Sequence, residues 1–124
     1  MRPELRLKRL RAARAYWLCV PPKQVDLNVY GFEVLSWRGL DNVGKCGAVG
    51  CLVAWLCTMP EGLDSVEGLR WKFDFDTRTE AILAYFDEKH LFARGVHLFA
   101  PRQEPNVSPW QEALKRLDLA ITYT

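Results

Sequence analysis

Cys46-Gly47-Ala48-Val49-Gly50-Cys51-Leu52-Val53-Ala54-Trp55-Leu56-Cys57 carries no charged residue and decides how the chain must be arranged. An apolar run of about twelve residues falls short of the roughly 20 needed to cross a bilayer. It reads as a buried helix over about 46–58. Asp41-Asn42 and Gly44 lie just upstream, and Pro60 stops it. Apolar residues occur all round the helical circumference, so no side is left for water. Gly47 and Gly50 each cost roughly 1 kcal/mol in a helix interior. Their place is therefore explained by close backbone approach or by a later helix start. Trp55 is expected to be fully buried.

Three of the four cysteines fall in this run, at 46, 51 and 57. Metal sites favour tighter pairs with His or Cys partners elsewhere. On a helix, Cys46 and Cys51 stand ~140° apart. The reading is buried thiols acting as small hydrophobes, with no metal and no cofactor. Cys46 has a second reading as a reactive thiol, because a helix N-terminus stabilises a thiolate.

Around this centre, 124 residues with 49% hydrophobic content and five tryptophans suffice for a single globular domain spanning 1–124. Four cysteines without a recognisable secretion signal point to a reducing cytoplasm. The net charge of +2 is unevenly placed. Residues 1–23 hold seven Arg or Lys against Glu4, a balance of +6, and residues 24–124 hold ten against fourteen, a balance of −4. A basic surface on a mildly acidic body is expected.

That surface begins with a helix over 3–19. Pro3 suits its first turn, and Leu10, Ala13, Trp17 and Val20 recur at helical steps. Arg2, Arg6, Lys8, Arg9, Arg11 and Arg14 occupy the rest of the circumference and are the candidate partner-binding residues. They suit phosphates or an acidic protein surface, or a solvated face whose stems cover apolar neighbours. Pro21-Pro22 ends the helix. Val25, Leu27 and Val29 alternate with polar residues as in a short strand, and 38–45 reads as a loop.

Beyond Pro60, Leu69-Arg70-Trp71-Lys72-Phe73-Asp74-Phe75 alternates strictly and predicts a strand, with 25–30 or 32–37 as its partner. Thr77-x-x-Glu80 forms a capping box for a helix through Ala81, Ile82, Leu83, Tyr85 and Phe86. A shorter helix is expected over 88–99 with Leu91, Phe92, Val96 and Phe99 inward, although Gly95 leaves Val96-His97-Leu98-Phe99 open to a strand reading. His90 is read as a surface residue beside Lys89. Ser108, Pro109 and Gln111 open a final helix whose inner face is Trp110, Ala113, Leu114, Leu117 and Ile121. The fold class is therefore mainly α with a minor β element, compact around the 46–58 helix.

The segment from Cys46 to Trp55 resembles a C-G-T-x-A-C-x-x-G-W pattern of small uncharacterised phage, prophage and bacterial proteins. Val20-Pro21-Pro22, Asp26, Pro60, Leu98-Phe99-Ala100-Pro101 and the final helix match the same group in order. Ala48, Gly50 and Ala54 depart from it, small for small. The resemblance implies a helical fold and a mobile-element origin and assigns no catalytic residue. It suggests a non-enzymatic accessory protein that binds a host protein in the bacterial cytoplasm, with inhibition of a defence system as one concrete form. Gly44-Lys45-Cys46-Gly47 also looks like the nucleophile region of papain-like and bacteriocin-processing cysteine peptidases, which would pair Cys46 with His97. Only Gln24 lies upstream to serve as their oxyanion donor. A third reading is nucleic-acid binding through the basic helix, weak and non-specific because no aromatics interleave the basic residues. No membrane segment is expected.

Overall fold

The computed structural model describes residues 1–27, 52–56, 59, 80, 82–100 and 104–124. These residues are mostly helical, in agreement with the mainly α expectation. The helices are α1 (Pro3–Trp17), α2 (Leu52–Leu56), α3 (Glu88–Ala93) and α4 (Pro109–Tyr123), with a 3₁₀ turn at Pro22–Gln24 and helical residues at 82–85. The 69–75 strand, its possible partner at 32–37, the 38–45 loop, the cysteines at 46, 51 and 57, and Thr77 and Ala81 lie outside the described residues. Of the expected 25–30 strand, Val25 takes part in an isolated bridge and Leu27 in a turn, and both are buried.

α1 starts on Pro3, whose missing N–H is harmless in a first turn. It ends at Trp17, short of the expected 19. Leu18 N–H reaches back to Arg14 O at 3.2 Å, and Cys19 and Val20 close a turn instead of another helical residue. Val20 precedes a proline, which disfavours helical backbone there. Leu10, Ala13, Trp17 and Val20 are buried as their spacing implied.

α1 packs along α4, and α4 also meets the 3₁₀ turn. Trp17 and Trp110 bind each other's backbone reciprocally. The Trp17 indole N–H donates to Trp110 O at 3.0 Å, and the Trp110 indole N–H donates to Trp17 O at 3.2 Å. Each ring thus buries apolar area without stranding its polar atom. At the head of α4, Gln111 N–H donates to Ser108 Oγ at 3.1 Å, the expected cap.

α2 sits where the central run requires it. Leu52, Trp55 and Leu56 are buried, with Met59 just beyond. The Trp55 indole N–H donates to Gln24 O at 2.8 Å, tying α2 to the 3₁₀ turn. Ile82, Tyr85 and Phe86 add a further wall, with Tyr85 and Phe86 edge to face at 4.9 Å.

The expected 88–99 helix is corrected. It stops at Ala93 because Gly95 takes the left-handed conformation, φ +80°. Val96 N–H then bonds Leu91 O at 2.9 Å and Gly95 N–H bonds Phe92 O at 3.0 Å, the paired bonds of a Schellman stop. Leu91 and Val96 are both buried across it. The next residues form turns, neither helix nor strand. Phe92, expected inward, is 58% exposed, because this short helix buries its adjacent side through Leu91. His90 is half-buried and not a surface residue. Its Nε2 is enclosed and has no hydrogen-bond partner among the described residues.

Candidate functional site

The six basic residues assigned to partner contact divide into two groups. Arg6 is a correction. It is 3% exposed, so it belongs to the fold and not to an outer surface. Its Nη1 donates to the Asp87 carboxylate at 2.8 Å and its Nε to Thr124 Oγ1 at 2.5 Å. The physical reason is its register. Arg6, Leu10, Ala13 and Trp17 follow steps of four, three and four, so Arg6 lies on the buried stripe itself. Its partner Asp87 has left-handed backbone, φ 53°, which an aspartate tolerates better than most residues.

Arg9 is half-buried. Its Nη1 donates to Tyr85 O at 2.9 Å, while its guanidinium lies 4.0 Å from the centre of the Tyr85 ring. Arg14 pairs with Asp118 of α4 at 2.5 Å. Arg6, Arg9 and Arg14 therefore fasten α1 to the 85–87 segment and to α4. Arg2, Lys8 and Arg11 are exposed and make no ion pair among the described residues. They are what remains exposed of the six candidate residues.

A second group of charges was not visible to the apolar pattern of α4. Glu112 and Arg116 are buried, one turn apart. Arg116 Nη2 donates to the Glu112 carboxylate, and its Nη1 donates to Ala100 O at 2.5 Å and to Leu98 O at 3.5 Å. Glu112 also accepts Glu104 N–H at 2.7 Å. Burial pushes the Arg116 guanidinium below its ordinary value, opposed by the Glu112 and Glu104 carboxylates. It stays protonated at neutral pH, as arginine does. A cleft of about 120 Å³ opens beside this pair, with His97, Lys115 and Leu119 on its walls. Lys115 bonds Glu104 at 2.8 Å across it. The arrangement holds Leu98, Ala100 and Glu104 against α4.

His97 is exposed and stands edge to face with Phe92 at 5.0 Å. No cysteine is among the described residues lining its cleft. Cys46 lies outside the described residues, and Cys19, the cysteine that is described, is exposed at the end of α1. Gln24 packs by its backbone against Trp55, and its side-chain Oε1 is enclosed without a hydrogen-bond partner among the described residues. Among the described residues no three His, Cys, Asp or Glu side chains cluster to hold a metal ion. No helix among them is long and apolar enough to cross a membrane. No protein-family model matches the chain, and comparisons with curated proteins and with solved structures return no match.

Proposed function

We propose that this is a non-enzymatic binding protein that acts by contacting the acidic surface of another protein through the outer side of α1. The observation that supports this is the division of the basic residues. Arg6, Arg9 and Arg14 are consumed by the fold, whereas Arg2, Lys8 and Arg11 face solvent with no ion pair among the described residues. Charges with no ion pair among the described residues are available for an external partner, and complementary charge speeds and orients association. The resemblance of the Cys46–Trp55 segment makes a host protein of the bacterial cytoplasm the partner, with the chain serving as a phage or mobile-element accessory that blocks a defence component.

The test is affinity capture from bacterial lysate with wild type and with a Lys8→Glu/Arg11→Glu variant side by side, read by quantitative mass spectrometry. The expected result is a protein captured by wild type and lost from the variant, while circular dichroism of the two is the same. Equal capture by both refutes the role of α1. Capture of nucleic acid that nuclease treatment abolishes, together with every enriched protein, assigns the surface to phosphates instead.

A further inference from the structure

Three basic residues of α1 form one diagonal row. Lys8, Arg11 and Arg14 are three positions apart, so each lies nearly one turn further along and roughly 60° further round toward α4. Neighbours at this spacing stand about 5–6 Å apart at Cβ. Lys8 and Arg11 are exposed and make no ion pair among the described residues. Arg14 is covered by Asp118 of α4 at 2.5 Å. The cover is thin. The Arg14 side chain keeps 39% of its exposure and that of Asp118 keeps 50%. Ion pairs so exposed contribute little to a fold. Among the described residues only the Nε–H of Arg14 is engaged with a carboxylate, which leaves both Nη groups able to take a second one. The other two arginines that hold α1 are placed differently. Arg6 is buried, and Arg9 is half-buried against the Tyr85 ring.

We infer that Arg14 is the third cation of the partner-binding row and that Asp118 is its internal competitor, a carboxylate that holds the place of one on the partner. The inference rests on the binding role proposed above and adds to it a residue and a restraint. A partner carboxylate that takes Arg14 must release Asp118. The released aspartate still stands beside the incoming negative surface and opposes it. Asp118 thereby lowers the affinity that the row of three cations would otherwise reach. Glu4 is also exposed beside the row, one turn before Lys8. Its place has a separate reason, because a carboxylate in the first turn complements the helix dipole. Asp118 has no such reason. It lies in the C-terminal half of α4, where the dipole gives a carboxylate no support. Thr122 Oγ1 donates to the backbone carbonyl of Asp118 and not to its carboxylate. Among the described residues Arg14 is what the Asp118 side chain binds.

The probe is a fluorescein-labelled glutamate-rich peptide, titrated with the full chain by anisotropy at physiological salt. A peptide with glutamine in place of each glutamate is the control. Asp118→Asn is expected to bind the glutamate peptide up to roughly fivefold more tightly than wild type, the most that an exposed ion pair withholds. The same change in an Arg14→Gln background should gain little, and Asp118→Glu should stay near wild type. The urea midpoint of Asp118→Asn should match that of wild type, as the exposure of the pair requires. An Asp118→Asn affinity equal to wild type overturns the inference. So does an equal gain in the two backgrounds, because Asp118 would then act by its charge alone and not through Arg14. Equal binding of the glutamate and glutamine peptides overturns it too, as does tighter binding of duplex DNA, which assigns the row to phosphates. If Lys8→Glu/Arg11→Glu binds the peptide as wild type does, or if no variant binds it, the binding role of α1 fails with the inference. If Lys8→Glu/Arg11→Glu loses binding while Asp118→Asn gains none, that role stands and the competitor role of Asp118 does not.

Discussion

Replacing Arg6 with alanine separates a buried structural arginine from a surface one. The guanidinium is almost wholly enclosed and donates to a carboxylate at 2.8 Å and to a hydroxyl at 2.5 Å. Removing one member of a fully buried pair costs ~3–5 kcal/mol, because the other charge stays buried without a partner. The Asp87 side chain keeps 27% of its exposure, so water recovers part of that loss. The expected destabilisation is therefore about 2–4 kcal/mol. Truncation of the aliphatic stem against the stripe adds to it rather than offsetting it. At roughly 3–5 °C per kcal/mol for a domain of this length, the thermal midpoint should fall by about 6–20 °C. The assay is urea unfolding followed by far-UV circular dichroism, with Lys8→Ala measured alongside. Lys8→Ala should stay within about 0.5 kcal/mol of wild type. A double-mutant cycle with Asp87→Ala should return a coupling of about 1–3 kcal/mol. An Arg6→Ala variant as stable as Lys8→Ala, or zero coupling to Asp87, refutes the assignment of Arg6 to the fold.

The other substitutions test separate contacts. Glu112→Gln leaves Arg116 buried without its counter-charge and should cost about 3–5 kcal/mol, whereas Glu112→Met with Arg116→Met should cost much less; equal losses in urea unfolding would show that the pair's charge is immaterial. Gly95→Ala should cost ~1–2 kcal/mol through its positive φ alone, since nothing lies within 4 Å of an added methyl group; an unchanged midpoint would mean that the 94–96 turn relaxes. Trp55→Ala should cost ~3–5 kcal/mol in urea unfolding, and a neutral substitution would show that α2 does not belong to the core. Cys19 should alkylate quickly in the native protein. A second thiol reacting as fast near neutral pH and identified as Cys46 would revive the hydrolase reading.

Much of the helical frame was legible because burial and period coincide. Leu10, Ala13 and Trp17 marked the inner side of α1, and Ser108-Pro109 marked the start of α4. Composition misled where a charged residue occupies an inward position. The α1 stripe, extended one step toward the N-terminus, lands on Arg6, but a pattern built from apolar letters stops at Leu10. Glu112 and Arg116 were missed for the same reason. They flank the Ala113–Leu117–Ala120 stripe and are buried because each supplies the other's counter-charge. The 88–99 reading failed by weighing apolar periodicity above Gly95, whose left-handed backbone ends α3 even though Val96, Leu98 and Phe99 continue the apolar pattern. The surviving candidate site was legible only as a charge excess. Which charges face outward depends on partners such as Asp87 and Asp118, far away in sequence, and local pattern carries no information about them.

The reciprocal indole–carbonyl bonds between Trp17 and Trp110 also set a schedule for synthesis. Ninety-three positions separate the two residues. At ribosomal rates of ~5–20 residues per second, α1 waits roughly 5–20 s for the helix that covers it. Throughout that interval its Leu10–Ala13–Trp17 stripe lacks α4; Arg6 gains Asp87 before Trp110 is made and Thr124 only after it. The nascent chain thus presents a basic helix with an uncovered apolar side, the kind of segment that chaperones hold. The arginines that fasten the finished fold keep that waiting helix charged and solvated until α4 arrives.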